Sequence, residues 1–106
     1  MHFSLGEDEL SEVMDELLSI KSSYYALGRA LRLPIGELNA VRKQNPFDVE
    51  QALNDLLLLW LQQKYNVQKY GFPSWRSLVE AVDKESGGNN HALARRIAHN
   101  HPQSGT

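Results

Sequence analysis

Leu56-Leu57-Leu58-Leu59-Trp60-Leu61 and, soon after it, Pro73-Ser74-Trp75-Arg76-Ser77-Leu78-Val79-Glu80-Ala81-Val82 decide the fold class of this chain. At about 100° per residue, Val49, Ala52, Leu53, Leu56, Leu59 and Trp60 fall on one broad apolar face of a helix. Leu58, Leu61 and Tyr65 form a second stripe nearly opposite, which fits either cover by another helix or a patch for a partner. Asp48, with Gln51 three residues later, has the capping-box form, so this helix is expected from about Val49 to Tyr65. In the second stretch Trp75, Leu78, Val79 and Val82 share a face, Ser74 is placed to cap the helix, and Ser86-Gly87-Gly88 to stop it. Both tryptophans lie inside apolar stripes, which makes them core residues before interface anchors.

Working outward, helical periodicity recurs. From about Glu7 to Ile20, Leu10, Val13, Met14, Leu17 and Leu18 make an amphipathic stripe with the acids largely on the other face. A second helix, about Ser22 to Leu31, puts Tyr24, Leu27 and Leu31 on one side, with Ser22 or Ser23 as cap. Pro34 suits the first turn of a third, through about Lys43, with Ile35, Leu38 and Val41 inward. A last helix capped by Asn89 or Asn90 carries Leu93, Ala94 and Ile97, before the chain frays from His101. No segment alternates with the period of a strand, so the expected class is all-α, six helices with short connections and mostly antiparallel neighbours. The predicted core is Leu17, Leu27, Leu31, Leu38, Leu56, Leu57, Trp60, Trp75, Leu78, Val79, Leu93 and Ile97. One domain is expected over residues 7–100, with flexible ends at 1–6 and 101–106.

Composition fits one globular domain: 106 residues, 42% hydrophobic and 23% charged. There is no cysteine, which rules out a disulfide framework, a cysteine zinc site and a thiol nucleophile. The longest apolar run is far short of the roughly 20 residues a membrane-spanning helix needs. A cytoplasmic location is expected, without membrane insertion. His91, His99 and His101 lack the spacing of a helical metal pair, and no nucleophile elbow or phosphate-binding glycine loop is present. No catalytic, metal or cofactor residue is therefore assigned, and no small-molecule substrate is expected.

The net charge of −2 hides an asymmetry. Residues 1–20 carry Glu7, Asp8, Glu9, Glu12, Asp15 and Glu16 and no base, whereas residues 21–46 carry Lys21, Arg29, Arg32, Arg42 and Lys43 against Glu37 alone. Helix 1 is acidic and helices 2 and 3 are basic.

Tyr24-x-x-Leu27-Gly28-x-x-Leu31-x-Leu33, Gln51-Ala52 through Leu56-Leu57-x-x-Trp60, Trp75-x-x-Leu78-Val79-x-Ala81-Val82 and Leu93-Ala94-x-x-Ile97 together resemble a death domain. The order and separations match over about residues 8 to 100. Tyr24 stands where the family usually has Trp, and Gly28 where it has alanine or another small residue. The resemblance implies the death fold, a six-helix antiparallel bundle with Greek-key topology. It also implies a non-catalytic adaptor of intracellular signalling, of the apoptotic or innate-immune kind, whose partners are other death-domain proteins, homotypic or heterotypic. Family complexes join the face of helices 1 and 4 of one module to helices 2 and 3 of the next. The charge pattern agrees independently, making Glu12, Asp15, Glu16, Arg29, Arg32, Arg42 and Lys43, with Leu58, the candidate partner-binding residues. The alternative is a helical nucleic-acid-binding module using the basic 21–46 segment, disfavoured by a pI near 6.0 and the acid-rich first helix.

Overall fold

The structure, a computed structural model, describes residues 5–85 and 91–101, with only the backbone of residues 84 and 85. The expected stop at Ser86-Gly87-Gly88, the cap at Asn89 or Asn90, and the ends at 1–4 and 102–106 lie outside the described residues. Within them the chain is all-helical: α1 Leu10–Leu17, α2 Tyr24–Ala30, α3 Ile35–Gln44, α4 Val49–Leu61, a single turn α5 Val67–Tyr70, α6 Trp75–Glu85 and α7 His91–Asn100.

The centre is α4. Ala52, Leu53, Leu56, Leu57, Trp60 and Leu61 are all buried, about half the circumference of the helix, because α4 packs against α1, α2 and α3 together. Leu61 joins this arc at 3% exposure, whereas Leu58 and Leu59 stay half-buried outside it. α6 closes the bundle against α2 and α7. The predicted core residues are buried with one exception. Val79 is half-buried and packs on the edge of the core, since its neighbours Leu78, Ala81 and Val82 take the inward arc of α6. Ile35 and Val49, each expected inside, begin their helices beyond the reach of the core and are 58% and 38% exposed.

Gly28 explains how closely α2 sits on its neighbours. A β-carbon there would lie 2.5 Å from Leu56 Cδ1 on α4 and nearer still to Leu38 Cδ2 on α3. No side chain larger than hydrogen fits without displacing a buried leucine.

Two helices end by Schellman motifs with no glycine. After α2, Arg32 N donates to Arg29 O at 3.0 Å and Leu33 N to Gly28 O at 3.1 Å, with Arg32 left-handed at φ 70°. After α4, Gln63 N donates to Trp60 O and Lys64 N to Leu59 O, both at 3.0 Å, with Gln63 at φ 63°. This ends α4 at Leu61 rather than at the expected Tyr65. Between α1 and α2 the chain runs as a 3-10 helix over Leu18–Ser23, kinked at Ile20, so Ser23 precedes α2 without making a side-chain cap bond.

The expected caps at Asp48 and Ser74 are present. Asp48 Oδ1 accepts from Gln51 N at 3.0 Å, but the Gln51 side chain turns to Asp55 at 2.9 Å, leaving the box half made. Ser74 and Ser77 cap α6 reciprocally, each backbone N donating to the other's Oγ at 3.1 Å.

The packed unit reaches past both expected boundaries. Leu5 is 1% exposed and donates its N–H to Pro73 O at 2.8 Å. His101 stacks on Trp75 with ring centroids 3.6 Å apart and planes 8° from parallel. Leu5, Gly6 and His101 therefore pack with the bundle.

Candidate protein-interaction surfaces

Helical periodicity sends the charged residues of α1 outward, where Glu12 and Asp15 are exposed. Glu16, the third candidate acid of α1, is engaged within the fold. Its Oε2 lies 2.8 Å from His101 Nε2 and accepts from Asn100 Nδ2 at 3.3 Å, and its side chain is only 14% exposed. It fastens the end of α7 to α1. The acidic surface gains Glu50 of α4, which faces Lys21 at 3.5 Å in an exposed pair. Such pairs are worth about 0–1 kcal/mol, so Glu50 remains open to exchange.

Arg29, Arg32, Arg42 and Lys43 are all exposed. Part of this charge serves the helices themselves: Arg29 lies in the last turn of α2, and Arg42 and Lys43 in that of α3, where cations complement the helix dipole. Arg42 is held in place by its guanidinium over the Tyr25 ring at 4.8 Å and by Asn39 Oδ1 at 3.3 Å, the same oxygen that accepts from the Tyr25 hydroxyl. Arg32 rests 5.0 Å above the Tyr70 ring, aimed there by its left-handed backbone. Among the described residues Arg29 and Lys43 make no ion pair. The basic surface thus has two fixed guanidinium groups and two uncommitted cations.

Leu58 is not brought to the acidic side. It lines a shallow groove between α3 and α4 with Ala40, Val41 and Leu59, on a different arc of α4 from Glu50. Trp60, at 1% exposure, and Trp75, at 7%, belong to the core.

The groove between α1 and α4 was not singled out by sequence. Leu10, Met14 and Leu18 form its apolar side, with Asp15, Glu50 and Asn54 at its rim, around about 310 Å³. Its signal was present in the stripe of α1, which carries more apolar residues than one neighbour covers. A smaller cleft of about 160 Å³ is lined by Arg32, Trp60, Tyr65, Tyr70 and Glu80. There the Tyr65 hydroxyl donates to Gly71 O at 2.7 Å, and burial pushes its phenol up to about 12. Tyr65 stays protonated and acts as a fixed donor that holds the α5 turn.

Among the described residues no cluster of three or more His, Asp or Glu could hold a metal ion, and no helix is long and apolar enough to cross a membrane. Comparison of the chain with protein-family models, with curated proteins and with solved structures found no match.

Proposed function

We propose that this chain is a non-catalytic protein-protein interaction module of the death-domain type, with its six longer helices, α1 to α4, α6 and α7, in Greek-key order. It joins death-fold proteins, or copies of itself, into signalling assemblies in the cytoplasm. The observation that carries this is the segregation of exposed charge: Glu12 and Asp15 on α1 with Glu50 on α4, against Arg29 on α2, Arg32 in the turn that follows it, and Arg42 and Lys43 on α3. A surface of one sign on one face and the other sign on another favours head-to-tail contact, in which each module uses both faces at once. Aligned pairs supply steering and register, and burial of adjoining apolar surface supplies affinity.

Sedimentation velocity over a concentration series at low and high salt tests the proposal. Expected is a sedimentation coefficient that grows with concentration, is suppressed by salt, and is flattened by Arg29→Glu combined with Lys43→Glu. These two are the cleanest choice because neither holds another side chain in place. Each reversal at a helix end costs about 0.3–1 kcal/mol, so the variant stays folded. Assembly indifferent to both salt and reversal would overturn the charge model. A chain monomeric throughout leaves a different death-fold protein as partner, and the same reversal must then abolish its capture.

A further inference from the structure

The chain has four tyrosines, and three are committed to the fold. Tyr24 is buried in the core, Tyr25 donates its hydroxyl to Asn39 Oδ1 at 2.9 Å, and Tyr65 donates its own to Gly71 O. Tyr70 differs. It is 43% exposed, and among the described residues its hydroxyl makes no hydrogen bond. It closes α5, a single turn that contributes no buried residue, and the Gly71 that follows has open space around it. A segment with so little packing opens at low cost, as it must for an enzyme to draw the side chain into its own cleft.

Cations converge on this same ring. The Arg32 guanidinium stands 5.0 Å and the Lys69 ammonium 5.4 Å from its centroid, and among the described residues neither makes an ion pair. Of the other ionisable groups lining the cleft beside Tyr70, Glu80 is turned to Arg76 at 3.8 Å and Tyr65 keeps its proton. Attraction to the ring face accounts for a cation above it. Two unpaired cations around one exposed phenol are in addition a clamp for a dianion at its end.

We propose that Tyr70 is an acceptor for phosphoryl transfer from a nucleoside triphosphate by a tyrosine kinase, and that Arg32 and Lys69 clamp the phosphate, withdrawing Arg32 from the basic partner surface. The phenolic oxygen attacks the γ-phosphorus, and the new O–P bond forms as the bond from that phosphorus to the bridging oxygen breaks. The nucleoside diphosphate leaves, and the phenolic proton passes to the kinase's base. The product carries a charge of about −1.5 to −2 at neutral pH, set against Arg29, Arg32, Arg42 and Lys43. Modification therefore cancels up to about half the charge of the basic surface. The effect on assembly rests on the proposed head-to-tail function, whereas the site itself does not.

The full chain is treated with ATP, magnesium and a tyrosine-kinase domain that phosphorylates the isolated 66–73 peptide, and the products are mapped by tandem mass spectrometry. Phosphate is expected on Tyr70 and not on Tyr24, Tyr25 or Tyr65. Tyr70→Phe should take up none and melt like wild type. In phosphorus NMR titrations the folded chain's phosphate should lose its second proton at lower pH than that of the phosphopeptide, and Arg32→Gln should diminish the difference. In sedimentation velocity at low salt the phosphorylated chain should need at least about tenfold more protein to associate. A peptide modified while the folded chain is not, or a phosphate that titrates as it does in the peptide, would overturn the site. Unchanged association of the phosphorylated chain, where Arg29→Glu with Lys43→Glu disrupts it, would overturn the regulatory effect and leave the proposed function standing. A wild-type chain monomeric at every concentration would place the failure in self-association, and the site would still stand or fall on the mapping and the titration.

Discussion

Replacing Gly28 by alanine adds one methyl group where α2 meets α3 and α4. In an open helix the change would stabilise by about 1 kcal/mol, because glycine is the poorer helix former. Here the new carbon would stand 2.5 Å from Leu56 Cδ1, closer still to Leu38 Cδ2, and 3.3 Å from Leu56 Cγ. Leu38 and Leu56 are both 0% exposed, so neither can swing away without disturbing other core residues. Such overpacking costs about 1–3 kcal/mol, which leaves a net loss of up to about 2 kcal/mol. At about 5 °C per kcal/mol for a domain of this size, the melting temperature should fall by up to about 10 °C. Gly36, at the start of α3, is the control: a β-carbon there meets nothing within 4 Å, so Gly36→Ala should raise stability by up to about 1 kcal/mol. Urea unfolding followed by tryptophan fluorescence suits both, since Trp60 and Trp75 report directly on the core. If Leu38 and Leu56 do block the site, Leu56→Ala should cost less in the Gly28→Ala background than alone, a coupling that a double-mutant cycle isolates. Equal stabilisation by the two glycine replacements would refute the close approach of α2.

Trp60→Ala should cost about 3–5 kcal/mol and nearly unfold the module, as judged by denaturant melts, because the indole is 1% exposed at the junction of several helices. Gln63→Gly should stabilise by about 1 kcal/mol, since Gln63 holds a left-handed conformation at φ 63° that glycine adopts without penalty. No gain in the urea midpoint would show that the end of α4 is wrongly placed. Glu16→Ala should cost about 1–3 kcal/mol by removing the acceptor of His101 and Asn100, with faster amide exchange in α7 and unchanged association; lost association at unchanged stability would return Glu16 to the partner surface. For Tyr65 the folded state holds the phenolic proton more tightly than the unfolded state, with a value of about 12 against 10.0. Its contribution is complete below the lower value and is lost as pH rises towards the upper. Tyr65→Phe should therefore lessen the alkaline loss of stability, read as the difference between wild-type and variant urea midpoints across that window.

All six helices read in advance are present, α1, α2, α3, α4, α6 and α7, because each carries apolar residues at helical spacing. Asp48 and Ser74 were legible as caps because capping is settled within three residues of sequence. The boundaries that misled have local causes. Gln63 ends α4 in a conformation usually reserved for glycine, so the leucine-rich pattern ran on unchecked to Tyr65. The Leu18–Ser23 link contains neither glycine nor proline, and its 3-10 winding left no mark in the periodicity. Ile35 and Val49 looked like core because stripes show which side of a helix is apolar, not how far along it the neighbouring helices reach.

For the candidate site, the opposite charges of the first helix and of the next two could be counted residue by residue, and exposure of Glu12, Asp15, Arg29 and Lys43 followed from the apolar faces opposite them. Glu16 could not be told from its neighbours, because its partner His101 lies 85 residues away. Tyr70 belonged to no stripe, and only packing brings Arg32 over its ring. The same holds for the α1–α4 groove, which exists because α4 is shared among several helices and covers α1 incompletely. Helical class, helix faces and the segregation of charge could therefore be read along the chain, all being properties of residues within a few positions of one another. Tertiary structure alone decided which charges are spent inside the fold and which apolar surface remains uncovered, because both depend on contacts between residues that only packing brings together.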